Sequence, residues 1–548
     1  MAILREQTTR RRLEMETRWK QGGLRPRVVH ESSSEWIRRV SFQWPLAAMG
    51  TASGAVLVSE CTETGGSPDS RRQRSQRLVA SASDAHSRDW ANADERGLGE
   101  RSLLGLYDGG AVTAIAIDAR FGDSLNEDDT THGDNNDNNT LGALVASGGR
   151  DGVLRIFRVP RLAVEEMDLP PTKRKFKTEH GAALVPFGEA AHPNVVTSVL
   201  LDPSTHSVWT TCLDGKVRVW EVGGGGAGEP KGTGTDEKKD DKEKKKDDAE
   251  DSDSDADSLK LKLIATHATH APALCASLCP LQRVVYVGTA DGGAYVFDAG
   301  TSGLTTGLEG QDAEGGVDDS GNDATELCRW SAHEAGGVRA IAAAAGGCVT
   351  GSSTGPIYAW NYRRGGLFWD ESDGAVSHGT GAKTNTGNNR KNAPPRLVSK
   401  LLGHVAAVVG LSTGNPAHLV SGSHDGTVRV WDMPRLSTEP GAPGTDVGVD
   451  LAGVIDDLLR GEGEGEGRED KSNAKEKEKE KEKEKEKEKN PKPSPFVAER
   501  REALYAVTGH TVWLGSVSAD ETRILCDGSN NVAMCYDFSE DPDGDGDV

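Results

Sequence analysis

The segment Leu419–Asp432 (LVSGSHDGTVRVWD) constrains the fold more than any other part of the chain. A short apolar run leads to Asp425-Gly426, a pair that tolerates the positive φ of a two-residue β-hairpin turn. An alternating strand follows and ends in Trp431-Asp432, and Gly403-His404 lies upstream. Two such strands cannot bury their faces alone, so one copy of this pattern predicts further copies.

Seven segments share the pattern of strand, turn, strand and terminal aromatic residue. In chain order they are Ala47–Glu60, Val145–Arg158, Val208–Glu221, Val285–Asp298, Cys348–Asn361, Leu419–Asp432 and Ile524–Asp537. The first copy is the weakest, since Ser59 stands where the others have an aromatic residue. A histidine recurs upstream of five copies, at His192, His270, His333, His404 and His510. Asp108 and Ser32 take that place before the second and first copies.

This unit resembles the WD40 repeat, which forms one four-stranded blade of a β-propeller. The resemblance implies an all-β, seven-bladed WD40-type β-propeller over residues 26–538, after a helical linker at 1–25 and before an acidic tail at 539–548. We expect the blade cores near residues 36–60, 111–158, 192–221, 270–298, 333–361, 404–432 and 510–538.

The resemblance also implies a buried tetrad of His, Ser or Thr, Asp and Trp within a blade. Two copies have the full set, and its members are His404, Ser421, Asp425 and Trp431 in the sixth copy, and His192, Thr210, Asp214 and Trp220 in the third. These histidines could also be metal ligands or catalytic bases. Their repetition at one place in each copy favours a structural role.

Long polar insertions separate the copies and are expected to be disordered, because they cannot bury apolar surface. They include an alternating Lys/Glu run at Lys475–Lys489, and they cover residues 61–101, 122–140, 223–258, 299–325, 365–395 and 434–500. If the strands of a blade are lettered a to d from the channel outward, the insertions fall in c–d or a–b connections. All would then emerge on one face of the propeller, leaving the face with the short connections open.

The outer strand, strand d, is difficult to assign from the sequence in the first and the last blade. Leu78–Ala91 also fits the repeat pattern, but its second half is polar on both faces, so we interpret it as a loop and place strand d of the first blade at Ser102–Leu106. The last copy lacks a strand d of its own. Pro26–His30 is the natural candidate, since a strand from the opposite chain end would close the ring and remove both sheet edges.

Trp19-Lys20-Gln21-Gly22 follows an Arg-rich stretch and resembles the entry of F-box/WD40 substrate receptors. That family presents proteins to cullin–RING ubiquitin ligases. The resemblance covers about twenty residues, and no F-box precedes them in this sequence.

The net charge of −22 comes mainly from four segments, Asp123–Asp137, Glu229–Ser258, Glu309–Glu326 and Glu540–Asp547. Because the rest is close to neutral, nucleic acid is not expected as a partner of the folded core. The eight cysteines include no CxxC pair and lie mostly in segments with a strand-like pattern. This indicates buried thiols in a reducing compartment, and we expect the protein to be cytoplasmic or nuclear. No secretory signal or membrane-spanning run is visible.

These patterns favour a non-catalytic scaffold that binds a protein or peptide on the short-loop face. The alternatives are a substrate receptor of an F-box-type ubiquitin ligase and, in another class, a propeller-based enzyme. No nucleophile elbow, P-loop, zinc spacing or dinucleotide fingerprint is present, so no catalytic residue, metal or cofactor is predicted. The candidate partner-binding residues lie beside strand a or at the b–c turn and are Trp513, Arg150, His424 and Glu35.

Overall fold

The structure is a computed structural model of the chain. It describes residues 13–22, 26–32, 36–61, 78–83, 85–86, 110–120, 141–160, 182–222, 261–300, 326–344, 346–362, 394–415, 417–433, 436, 498–510, 514–529 and 531–538. The propeller lies in one compact unit, Met1–Leu436 with Arg500–Val548; Ser437–Glu499 is a separate unit, described only at its last two residues. Within the described residues, no helix is long and apolar enough to cross a membrane.

The strands form seven antiparallel sheets, which we number as blades 1 to 7 in the order of the sequence copies. Blades 1 to 3 have these strands, from a to d. Blade 1 consists of Ile37–Gln43, Leu46–Thr51, Val56–Glu60 and Leu78–Ala82; blade 2 of Val112–Asp118, Leu141–Gly149, Val153–Pro160 and Val185–Ala191; blade 3 of Val196–Asp202, Ser207–Cys212, Lys216–Val222 and Leu261–Ala268. A two-residue strand, Ala182–Ala183, pairs in parallel with the outer strand of blade 1.

The remaining blades follow the same order. Blade 4 consists of Ala273–Cys279, Val284–Thr289, Gly293–Asp298 and Glu326–Ser331; blade 5 of Val338–Ala344, Gly347–Ser352, Ile357–Asn361 and Arg396–Leu401; blade 6 of Val408–Asn415, His418–Ser423, Val428–Asp432 and Tyr505–Val507; blade 7 of Val517–Ala519, Arg523–Ser529, Val532–Asp537 and Pro26–Glu31. Glu499–Arg501 is a fifth, outer strand of blade 5, although the sequence predicted disorder there.

The ring is closed by the N-terminal strand, as predicted. Pro26–Glu31 pairs antiparallel with Val532–Asp537 and supplies strand d of blade 7. The core lies between the blades, where the second strands are buried along their whole length in blades 1, 3, 4, 5 and 6. Continuous burial of both faces explains why these strands do not alternate between apolar and polar residues.

Two predictions about blade 1 are wrong. Leu78–Ala82 is a strand and pairs with Val56–Glu60, whereas the sequence placed strand d at Ser102–Leu106, which lies outside the described residues. The side chains of Val79 and Ala80 are buried against the core of blades 1 and 2. The pattern was misread because only five residues of Leu78–Ala91 form the strand, and the polar remainder belongs to the next connection.

The b–c turns and the d–a connections share one face of the propeller, which we call the turn face. In blades 1 to 4, the backbone N–H of a residue after the outer strand donates to the carbonyl of the b–c turn glycine, as in His86 to Gly54 at 3.1 Å and His192 to Gly152 at 2.7 Å. Six turn glycines have positive φ: Gly54, Gly152, Gly215, Gly292, Gly355 and Gly426. At Gly152 a Cβ would also lie 2.9 Å from the His192 carbonyl oxygen, so both conformation and space require glycine.

The prediction that all insertions emerge on the opposite face is therefore wrong at one place. Predicted insertion 61–101 contains the outer strand Leu78–Ala82 and splits around it. Its second part, together with residues up to 109, belongs to the d–a connection between blades 1 and 2. That connection begins on the turn face, since His86 bonds to Gly54. The other insertions remain in a–b or c–d connections.

A helix at residues 13–21 docks where blades 6 and 7 meet. Trp19 is fully buried, stacks on Phe538 with ring centroids 3.7 Å apart, and lies 5.3 Å from the His418 ring. Its indole N–H donates to the Glu521 carbonyl at 3.1 Å. The helix ends at Gly22, whose φ of 77° and N–H bond to Arg18 O form a left-handed cap.

Candidate partner-binding site at the channel mouth

The predicted tetrad of blade 6 is complete. His404 contacts Asp425 through Nδ1 at 2.8 Å and Ser421 through Nε2 at 2.7 Å, and Trp431 Nε1 donates to Ser421 Oγ at 2.8 Å. Burial lowers the pKa of His404, against the effect of Asp425. For Asp425, hydrogen bonds from Thr427 and His404 outweigh burial and lower the pKa of the carboxyl. The set is buried and internally satisfied, so it stabilises the blade and is not available for a ligand.

The tetrad predicted in blade 3 is broken at its carboxylate. His192 and Trp220 both bond to Thr210 Oγ1, at 2.9 and 3.0 Å. Asp214 pairs instead with Arg218 at 2.6 Å, and His192 Nδ1 has no hydrogen-bond partner. Burial, followed by the charge of Arg218, lowers the pKa of His192 to about 4.

Blade 2 contains a set that the sequence reasoning missed. His86, fully buried, contacts Asp151 at 3.0 Å and Ser147 at 2.8 Å. Asp108 was assigned to this place, but it lies outside the described residues and His86 fills the position. The sequence did contain a signal for this set, because Ser147 and Asp151 match the repeat and a complete tetrad also needs a histidine. The histidine was missed because it stands much further from strand a in the sequence than in the other blades.

The channel is lined by residues from the innermost strands of all seven blades, or just before them, and encloses a cavity of about 180 Å³. Six of these strands carry a β-bulge at their second residue. The bulged residues are Arg38, Thr113, Thr197, Leu274, Arg339 and Val409. Bulges redirect side chains, and all of these residues except Arg38 line the cavity.

A partial belt of hydrogen bonds joins neighbouring blades around the channel. Thr197 Oγ1 donates to Ala273 O at 2.7 Å, Thr113 Oγ1 donates to Val196 O, and Ser516 Oγ donates to Val40 O at 3.2 Å. Arg39 continues it, with Nε donating to Thr113 O at 2.6 Å. These bonds connect the inner strands of blades 7, 1, 2, 3 and 4 to one another.

Arginines concentrate on this rim. Arg39 also donates to the carbonyls of Arg38 and Gly515, both at 2.8 Å. Arg339 is exposed and, among the described residues, has no hydrogen-bond or ion-pair partner. Burial, opposed by Asp527 and reinforced by Arg339 and Arg38, lowers the pKa of Arg39. We call Arg38, Arg39 and Arg339 with His424 the basic rim.

One buried carboxylate lies beside the basic rim. Asp527 accepts hydrogen bonds from the backbone N–H groups of Gly515 at 2.8 Å and Ser516 at 3.2 Å. Burial raises the pKa of Asp527 to about 7, against these donors and the charge of Arg39. Asp527 therefore offsets only part of the positive charge at neutral pH.

The four predicted partner-binding residues are placed as follows. His424 lies at the b–c turn of blade 6 and is half-buried; burial, then the charges of Arg339, Arg39 and Arg38, lower its pKa. Arg150 holds the same turn position in blade 2, where its N–H donates to Ala111 O at 2.9 Å. Glu35 and Trp513 lie outside the described residues.

The rim arginines were not among the sequence candidates. Arg38 and Arg339 sit at the position that Thr113 and Thr197 occupy in other blades, but that equivalence becomes visible only with the bulge register. Trp36, next to this site, is 37% exposed, and the Arg38 guanidinium lies 5.5 Å from its ring centroid. The turn face thus combines cationic groups with exposed aromatic surface.

One comparison with known proteins matches the repeat. The family model described as "WD40: WD domain, G-beta repeat" matches residues 395–432. No curated protein matches the chain. Among solved structures, the crystal structure of the WD40 β-propeller domain of Doa1 is similar, with a TM-score of 0.45 and 11% identity over 93% of this chain and 96% of that chain.

The family match and the chain's own geometry point the same way. One repeat is recognised by the family model. Six further blades share its strand order, five of them share its turn glycine, and some share part of its tetrad. The chain is a seven-bladed β-propeller, and residues 395–432 of it match the WD40 repeat.

Proposed function

We propose that this chain is a non-catalytic scaffold that binds a protein or peptide on the turn face, over the mouth of the channel. The observation that carries the proposal is the basic rim, since Arg39 and Arg339 line a cavity that the inner strands of all seven blades enclose, and the charges of Arg339, Arg39 and Arg38 all act on His424. Exposed Trp36 and Val405, the latter 85% exposed, add apolar contact area on the same face. Aromatic and arginine side chains are the groups that most often dominate binding energy at protein interfaces.

The test compares the two faces of the propeller in affinity capture from a cell lysate followed by mass spectrometry. Double variant Arg150→Glu/His424→Glu alters the turn face, and Leu281→Asp alters the a–b turn of blade 4 on the opposite face, where Leu281 is 81% exposed. We expect the first variant to lose specific partners and the second to retain them. The reverse result would overturn the assignment of the face.

A narrower role, substrate receptor of a cullin–RING ubiquitin ligase, is supported by one observation. The Trp19–Gly22 turn is an integral part of the propeller's edge, because Trp19 is buried against Phe538 and a Cβ on Gly22 would lie 3.1 Å from the Tyr505 ring. Co-purification of a cullin–RING adaptor with the intact chain from the native source would support this role. Captured turn-face partners without any adaptor would count against it.

A further inference from the structure

Arg339 differs from the other bulged residues because its charge is not used within the fold. The equivalent hydroxyl groups of Thr113 and Thr197 donate to carbonyls of the next blade. Arg339 is exposed and makes no such bond among the described residues, although it lines the cavity. An unpaired guanidinium on the lining of the channel is available to an anionic group from outside the fold.

Its neighbours strengthen the positive charge. Arg339, Arg39 and Arg38 all act on His424, so the four groups share one local field. Like charges held together destabilise a fold, and a bound anion would relieve that repulsion. Arg39 is already anchored through three backbone carbonyls, which leaves Arg339 as the group best placed to contact a ligand.

The dimensions of the cavity limit what can enter. Its volume of about 180 Å³ is close to that of an engineered cavity of about 150 Å³ that holds one benzene molecule. One carboxylate side chain fits, whereas a nucleic acid duplex does not. A net charge of −22 also repels long polyanions more strongly than a short peptide with a few charges.

We propose that the basic rim recognises an acidic peptide segment, with an Asp or Glu side chain entering the channel mouth to meet Arg339 and with apolar neighbours packing on Trp36. This rests on the proposed function and specifies the chemistry of its partner. Arginine presents paired N–H donors that match a carboxylate, and the surrounding rim excludes water once the peptide covers it.

The test begins with selection of binders to the full-length chain from a displayed library of 12-residue peptides. Dissociation constants of the selected peptides are then measured by fluorescence anisotropy for wild type, Arg339→Gln, Trp36→Ala and Leu281→Asp. We expect binders to require an Asp or Glu, and replacing it with Asn or Gln or introducing Arg339→Gln to weaken binding at least tenfold. Leu281→Asp should leave affinity unchanged, and circular dichroism confirms that each variant is folded.

The outcomes separate the two proposals. Binders lost with Trp36→Ala but indifferent to Arg339→Gln and to removal of their acidic residue would overturn the acidic-peptide inference and leave the turn face intact. Binders lost only with Leu281→Asp, or no binders at all, would overturn both. Tighter binding of a phosphoserine version, or of a 12-nucleotide single-stranded RNA, would overturn the acidic peptide in favour of that ligand.

Discussion

At the residue scale, the repeat is held together by hydroxyl groups that serve two buried rings at once. Ser421 in blade 6, Thr210 in blade 3 and Thr350 in blade 5 each contact a histidine Nε2 and accept from a tryptophan Nε1. Blade 4 has Val287 at this place and keeps no such contact. The blades therefore differ in how many of these hydrogen bonds stabilise them. Blade 6 has all four tetrad residues connected, so it is the blade chosen for the test below.

Replacing Ser421 with Ala removes the partner of both His404 Nε2 and Trp431 Nε1 and leaves two buried polar groups unsatisfied. We expect a loss of about 2–4 kcal/mol in the free energy of unfolding. Urea denaturation measures it. Thr17→Ala, which removes an exposed helix hydroxyl bonded to Leu13 O, is the control and should change stability by less than about 0.5 kcal/mol. Equal effects of the two changes would contradict the role given to the tetrad.

Acid should destabilise the propeller through buried histidines. Burial lowers the pKa of His192 and of His333 to about 4, so between pH 6.5 and 4 the unfolded chain binds protons that the folded chain does not. Stability must therefore fall as the pH falls through this window, by up to about 1.4 kcal/mol per pH unit for each histidine. The lowered pKa values of Asp151, Asp214 and Asp425 act in the same direction at lower pH.

Urea midpoints at pH 7, 5.5 and 4.5 measure this dependence. His333→Gln should reduce its slope, because Gln cannot titrate. His424→Gln removes a half-buried histidine that lies outside a tetrad and whose pKa is also lowered, so it should reduce the slope in the same direction. An unchanged slope in His333→Gln would show that the buried imidazole does not resist protonation.

At the element scale, the strand order of the blades could be derived from the turn chemistry, because Asp-Gly and Ser-Gly pairs fix the b–c hairpins. The outer strands were harder to place. They are short or half-exposed, as the pattern of Leu261–Ala268 shows, and outside blades 1 and 5 they pair on one side only. Their sequences therefore resemble the polar segments that flank them, and the sequence analysis interpreted Leu78–Ala82 as part of a loop.

The placement of that strand has a direct test. Val79 is only 4% exposed and packs in the core of blades 1 and 2, so Val79→Asp should lower the free energy of unfolding by about 3 kcal/mol or more. Thermal unfolding provides the measurement. Leu281→Asp, on an 81% exposed side chain, should have little effect. If Val79→Asp left the free energy of unfolding unchanged, the assignment of Leu78–Ala82 as a buried strand would be wrong.

The N-terminal helix packs against blades 6 and 7 and stabilises the junction between them. Trp19→Ala removes the ring stacked on Phe538 and the N–H bond to Glu521, and we expect a loss of about 3–5 kcal/mol. Lys20→Ala, which removes only the exposed pair with Glu16, should change stability by less than about 0.5 kcal/mol. Guanidinium denaturation followed by tryptophan fluorescence distinguishes them. Equal stability of the two variants would mean that the helix does not stabilise the junction of blades 6 and 7.

At the scale of the whole molecule, the number of blades, their order and the closure by Pro26–Glu31 followed from repetition and from the absence of a final outer strand. The basic rim did not follow, because it depends on bulges that bring Arg38 and Arg339 from blades 1 and 5 toward one mouth. Such convergence is a property of the closed ring, and no local window of sequence contains it. The net charge of −22 even points away from a cationic site.

The binding of a partner on the turn face is tested most directly by hydrogen–deuterium exchange on the full-length chain with and without a captured partner. We predict slower exchange on binding at the backbone of residues 36–40, 334–340 and 422–427, which form the rim and its adjoining turns. The a–b turns on the opposite face, at residues 203–206 and 280–283, should exchange at unchanged rates. Protection confined to those a–b turns, with none at the rim, would contradict the account.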